Sequence, residues 1–175
     1  CYWGEALVLG PNINAPMFPE AVAPAVAAAA EASRLAPRTR PEEQAVIRAV
    51  ARRYSLAPGA DRAALDKAYA DAMAEAARDF PTHDTIQVLF AESLMDLSPW
   101  DYWAAGGARP KNRTAELVAA LETVLARNPT HAGAAHLYIH AMEASARPEK
   151  ALPAARVLAQ QIPGAGHIVH MPSHI

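Results

Sequence analysis

Apolar side chains recur every three to four positions along most of this chain, and proline, glycine or short polar runs break the recurrence. Leu117, Leu121, Val124 and Leu125 form one such stripe, spaced to share one face of an α-helix. Residues 1–9 read as the end of a helix closed by Gly10-Pro11. A loop over 12–17 leads to a helix over 19–35. Pro41-Glu42-Glu43 opens the next, with proline and acids in the first turn where the free N–H groups and the dipole favour them. It is expected to run to about Tyr54. Asp61 is placed to cap a helix reaching Asp79. Further helices are expected over 82–97, 112–127, 130–145, 148–161 and from about 164 onward.

The breaks are periodic. Pro37, Pro81, Pro129 and Pro163 each follow one helix and precede another, at spacings of 44, 48 and 34 residues. The last is a period at which helical hairpins stack as repeats. The excess of 14 in the second spacing coincides with an insertion over about 98–111, Ser98-Pro99-Trp100 through Pro110-Lys111. One helix pair cannot bury its apolar face alone, so stacked neighbours are the physical requirement.

Composition narrows the class. Alanine is abundant and β-branched residues are sparse, which favours packed helices over sheets. The 175 residues carry a net charge of −2, so no electrostatic footprint for nucleic acid is present. The Ala-rich run over 21–30 contains Pro24 and is too short to span a bilayer, so no membrane insertion is expected. A single cysteine, Cys1, excludes an internal disulfide framework. Both ends fall inside helix-like pattern, so the chain reads as a fragment truncated at both ends. Its compartment, cytoplasmic or periplasmic, stays open.

The histidines carry the chemistry. Of seven, six lie within the last 45 residues. His136 and His140 are four apart, as are His170 and His174, and the two pairs are offset by the 34-residue period. Residues four apart share a helix face. Equivalent positions on successive stacked hairpins lie side by side, so four imidazoles would converge on one patch. Glu143 is one turn beyond His140, and His167 one turn before His170. Glu92 occupies the position matching His140 in the preceding hairpin. Imidazole nitrogens with a carboxylate suit Zn, Cu, Fe or Ni, so His136, His140, Glu143, His167, His170 and His174 are candidate metal ligands. The same residues also fit core or groove-lining histidines satisfied by hydrogen bonds, or contacts to a small polar ligand. Pro172 interrupts the second pair, either kinking its helix or starting it there. Leu137-Tyr138-Ile139 separates the first pair, so no glutamate base of a zinc peptidase sits between them.

Four stretches carry a resemblance. They are Trp3-Gly4-Glu5-Ala6-Leu7 with residues 10–17; Ala91-Glu92-Ser93-Leu94-Met95-Asp96-Leu97 with Pro99-Trp100-Asp101; His136-Leu137-Tyr138-Ile139-His140-Ala141-Met142-Glu143-Ala144-Ser145; and residues 163–175, Pro-Gly-Ala-Gly-His-Ile-Val-His-Met-Pro-Ser-His-Ile. Together they resemble a family of bacterial tetratricopeptide-repeat proteins. The repeat consensus is degenerate here: Ala151 and Pro163 match, whereas Ala135 stands in place of its tryptophan and Ile139 in place of its glycine. The resemblance implies an all-α fold, an α-solenoid of tetratricopeptide-like helical hairpins. It covers essentially the whole of 1–175 as a single repeat region, with further helices on both sides. It assigns no activity. In such domains ligands bind the concave surface lined by each repeat's first helix, which puts His136, His140 and Glu143 in the groove. The Lys/Asn clamp that captures C-terminal carboxylates is not matched, because histidine and glutamate hold its places.

Other residues have a structural reading beside a functional one. Trp100, Tyr102 and Trp103 in the insertion can wall the histidines or anchor a long loop. Asn12 and Asn14 fit local turn hydrogen bonds, or a place facing the groove. Glu92 and Asp96 can accept from imidazole N–H groups as outer partners of a metal site, or form an exposed acidic pair. Arg52-Arg53 and Lys111-Asn112-Arg113 read as solvated basic spots. Two functions remain open. One is a groove that binds a transition metal or polar ligand, which includes a metal-dependent enzyme of unspecified reaction. The alternative is a protein–protein interaction scaffold that binds a peptide or partner helix. An acid–base enzyme without metal has suitable imidazoles, but no nucleophile or phosphate loop accompanies them.

Overall fold

A computed structural model describes residues 2–175; Cys1, which the sequence gives no role, lies outside them. The described residues are mostly helical, with nine α-helices and one short hairpin. None of the helices is long and apolar enough to cross a membrane. The chain divides into two compact units, residues 1–99 and 100–175, within the stretch read as an insertion.

The first unit holds α1 (Tyr2–Leu9), α2 (Pro19–Leu35), α3 (Pro41–Val50), α4 (Arg62–Asp79) and α5 (Asp84–Asp96). Each packs against the next in sequence, and α1 also meets α3. Small residues make close packing possible: Ala25, Ala28, Ala29, Ala45 and Ala49 are all buried here, around Val50, Tyr69, Met73 and Ile86. Pro19 starts α2, where its missing N–H costs nothing. Asp61 caps α4 by accepting from the Ala63 N–H at 2.9 Å.

The third helix stops four residues short of the expected Tyr54. Arg52 and Arg53 turn through tight bonds to Ala49 and Val50, and this directs Arg53 inward. Its guanidinium donates to Asp96 Oδ2 at 2.6 Å and to the Pro11 carbonyl at 2.7 Å, and it lies over the Tyr69 ring. Tyr54 donates to the Ala6 carbonyl at 2.6 Å. Arg53 is therefore not a solvated basic spot; it is 3% exposed. A charge at that depth requires partners, and these bonds outweigh continuing the helix. Lys111 and Arg113 do pair on the surface, with Asp101 and Glu116.

The second unit opens with the insertion, folded as an antiparallel hairpin of β1 (Trp103–Ala104) and β2 (Arg109–Pro110). Then come α6 (Thr114–Arg127), α7 (Ala132–Met142), a 3-10 turn (Pro148–Ala151), α8 (Leu152–Gln161), α9 (Gly166–His170) and a second 3-10 turn (Met171–His174). Leu117, Leu121 and Val124 of the predicted stripe are buried, as are Ile139, Leu158 and Met171. α7 packs against α6, α8 and the last 3-10 turn.

The hairpin is docked on the end of α7. The Trp103 indole donates to the Ala141 carbonyl at 2.6 Å, and the Ala146 N–H donates to the Gly107 carbonyl at 2.9 Å. Gly107 has φ +88°, and a Cβ there would lie 2.4 Å from the Ala146 nitrogen. Only glycine meets both demands.

Candidate metal centre

Local structure sorts the seven histidines into two kinds. His83 and His131 cap α5 and α7, each accepting through Nδ1 from a backbone N–H three residues on, Ile86 and Ala134. The other five belong to one cluster in the second unit.

α7 supplies His136 and His140 one turn apart, with ring centroids 4.9 Å from each other. Glu143 follows directly after the helix ends at Met142. α9 brings His167 and His170. Pro172 does not continue that helix; it sits in the 3-10 turn that carries His174. The tighter turn still leaves the His170 and His174 rings adjacent, at 5.2 Å.

The rings interlock. His167 lies 4.9 Å from His136 and 5.8 Å from His140, and His174 lies 5.5 Å from His140. Nε2 of His136 and Nε2 of His167 are 2.8 Å apart, and the corresponding atoms of His170 and His174 are 3.1 Å apart. His174 Nδ1 hydrogen-bonds Glu143. Two sets of donor atoms come within 4.8 Å of one another: His136, His140 and His167; and His140, Glu143 and His174.

His140 stands at the junction. It is 2% exposed, yet neither ring nitrogen has a hydrogen-bond partner. Its nearest acid is Glu143, 3.6 Å from Nδ1. Buried polar atoms are normally paired, so two orphaned nitrogens on one buried ring call for an explanation. Burial, reinforced by the surrounding imidazoles, pushes the His140 pKa down to about 3 and that of His136 to about 4. His167 is lowered for the same reasons. His136 and His140 therefore stay neutral at pH 7, the protonation state in which an imidazole can bind a metal ion.

Trp100 is placed against this cluster, its ring edge-on to His140 at a centroid distance of 5.1 Å. Its φ of +64° is an outlier for a bulky residue, and such strain marks a position held by its surroundings. Tyr102 is 1% exposed, and Trp103 is taken up by Ala141, so both anchor the hairpin. The other sequence candidates lie in the first unit. Asn12 Oδ1 accepts from the Asn14 N–H at 2.9 Å, a local turn. Asp96 is occupied by Arg53 and is not an exposed acid, its side chain being 4% exposed. Burial pushes Glu92 above the usual carboxylate range, against the pull of Arg53.

Two features escaped the sequence reading. Arg53 looked like half of a surface Arg-Arg spot, and its partners are distant in sequence, so no local signal revealed it. The histidine caps had a weak signal, since His83 and His131 each follow a Pro-Thr break, Pro81-Thr82 and Pro129-Thr130, just before a helical run. No known family model matches this chain, and comparison with curated proteins and with solved structures gives no match.

Proposed function

We propose that this chain is a helical-repeat protein of tetratricopeptide type, a solenoid segment whose histidine cluster binds a transition metal ion. The observation that carries the reading is His140: a buried imidazole with both nitrogens unpaired, surrounded by four more imidazoles and Glu143. In the metal-free state the ring is an uncompensated polar burial, costing about 1–3 kcal/mol. A bound ion would use the ring lone pair that no protein donor reaches. Neutral imidazole nitrogens with one carboxylate favour Zn, Cu, Fe or Ni over the harder Mg or Ca.

Some movement is required. Ligand atoms around a tetrahedral zinc, each at about 2.0–2.1 Å, stand roughly 3.3 Å apart. His136 and His167 Nε2, at 2.8 Å, must therefore separate by about half an ångström. Rotation of the exposed His167 side chain can supply that.

Elemental analysis of the purified chain tests the reading, beside a His136→Ala/His140→Ala variant that keeps its circular dichroism spectrum. Near-stoichiometric metal in the parent and none in the variant is the expected result. The second reading, a scaffold for a peptide or partner helix, has its own observation. An apolar pocket of about 300 Å³ lies over α6–α8, lined by Leu125, Pro129, Pro153 and Val157. Partner binding that chelators do not alter, in a protein that takes up no metal, would favour it.

A further inference from the structure

We infer that the cluster holds two metal ions, with the His140 imidazole shared between them. The inference rests on the metal reading above and adds how many ions the site takes and which residue joins them.

Donor number points to more than one ion. Five imidazoles and one carboxylate exceed the four ligands of a tetrahedral ion, so one ion would leave part of the cluster without a role. The six residues also do not form one undivided set. The triad of His136, His140 and His167 and the triad of His140, Glu143 and His174 have only His140 in common. His170 belongs to neither triad. Its ring lies 4.9 Å from His167 and 5.2 Å from His174, so it is available as a further donor to one of the ions.

His140 itself points the same way. An imidazole carries two nitrogens on different edges of the ring, and in His140 both are buried and neither is hydrogen-bonded. One ion would use one of them. The other would stay buried without a hydrogen bond, because Glu143 at 3.6 Å from Nδ1 is beyond bonding distance. Two ions use both. Nδ1 faces the triad with Glu143 and His174, which leaves Nε2 for the triad with His136 and His167. The ring proton of neutral His140 passes to solvent as the second ion binds, leaving an imidazolate bridge, and water completes each coordination sphere. With five nitrogen donors to one carboxylate, the ions are borderline divalent metals such as Cu(II) or Zn(II).

Copper(II) titration of the purified chain tests this, with bound copper counted by elemental analysis and spins counted by electron paramagnetic resonance. The expected result is two copper ions per chain and far fewer spins than copper ions at low temperature, because an imidazolate bridge couples the two. Removing one triad in His136→Ala/His167→Ala, or the other in Glu143→Gln/His174→Ala, should leave one copper with its full spin. His140 and the buried core are unchanged in both variants. A single copper in the parent that survives Glu143→Gln/His174→Ala would overturn the two-ion inference while leaving the metal reading intact. Two coppers with full spin would overturn the shared imidazole. No bound copper, zinc, iron or nickel at all would remove both readings together.

Discussion

The two units bury polar side chains in opposite ways. In the first, Arg53 is carried into the interior and met there by Asp96, the Pro11 carbonyl and the Tyr69 ring. In the second, His140 is buried as deeply and met by no hydrogen bond. Burying a charge is tolerable only when the protein supplies its partners, and the Arg53 group does so from its own chain. Its pairing runs through Arg53 Nη2, while Arg53 Nε and Asp96 Oδ1 have no hydrogen bond. The His140 group instead gathers imidazoles and one carboxylate around a ring with no hydrogen bond, a set that could hold a metal ion.

The sharpest way to break this comparison is to remove Arg53. Arg53→Met takes the partner from a buried Asp96 and should cost about 3–5 kcal/mol, measured by urea unfolding. A loss below about 1 kcal/mol would mean that Arg53 is as unpartnered in effect as His140.

Zinc should act on the other side of the comparison. If only the folded chain binds it, zinc at a hundred times its dissociation constant should raise stability by about 2.7 kcal/mol. The gain should vanish in His136→Ala/His140→Ala and leave the cost of Arg53→Met unchanged. An equal gain in parent and histidine variant would place any zinc elsewhere.

Acidity should separate the two groups by sign. The folded His140 and His136 pKa values, about 3 and about 4, lie below the ordinary imidazole value near 6.5. The unfolded chain therefore binds protons first. Their contribution is full above about pH 6.5 and is lost as pH falls towards 4 and then 3. Asp96 goes the other way. Burial first, then Glu92 and Asp66, push it up to about 7 despite Arg53. Its contribution is full below about pH 4 and is lost as pH rises through 7. Stability against pH should lose its acid-side slope in His136→Ala/His140→Ala and its neutral-side slope in Asp96→Asn. A variant that flattens neither limb would contradict the assignment.

The smallest expected effect is the most instructive. In the metal-free chain His140→Leu removes a buried imidazole that has no hydrogen bonds to lose, so stability should not fall and should rise by about 1 kcal/mol, the low end of that burial cost. A loss comparable to that of Arg53→Met would show that His140 is held by the protein itself.

Much of the helical pattern was legible from local signals. Proline at the first position set the starts of α2 and α3, Asp61 set that of α4, and the Leu117–Leu121–Val124 stripe identified the buried face of α6. Errors fell where distant contacts decide. Arg53 ended α3 early because its hydrogen-bond partners lie on a loop and on another helix, more than forty residues away. The last three residues of the 130–145 expectation were lost because the chain just beyond them is tied to the hairpin through the Ala146 N–H and the Gly107 carbonyl. The pair spacing of the histidines drew attention to the right residues, since i, i+4 positions on one helix are adjacent by geometry. It could not show that Pro172 moves His174 onto a 3-10 turn, nor that both ring nitrogens of His140 would be buried without a hydrogen bond. Those depend on how α7 and α9 pack, which no local pattern encodes.

The most direct test of the central claim is a calorimetric titration of zinc into the chelator-treated chain, run in parallel on His136→Ala/His140→Ala. The account predicts saturable binding by the parent at a whole-number stoichiometry and no binding by the folded variant. A parent that binds nothing, or a variant that binds as the parent does, would contradict it.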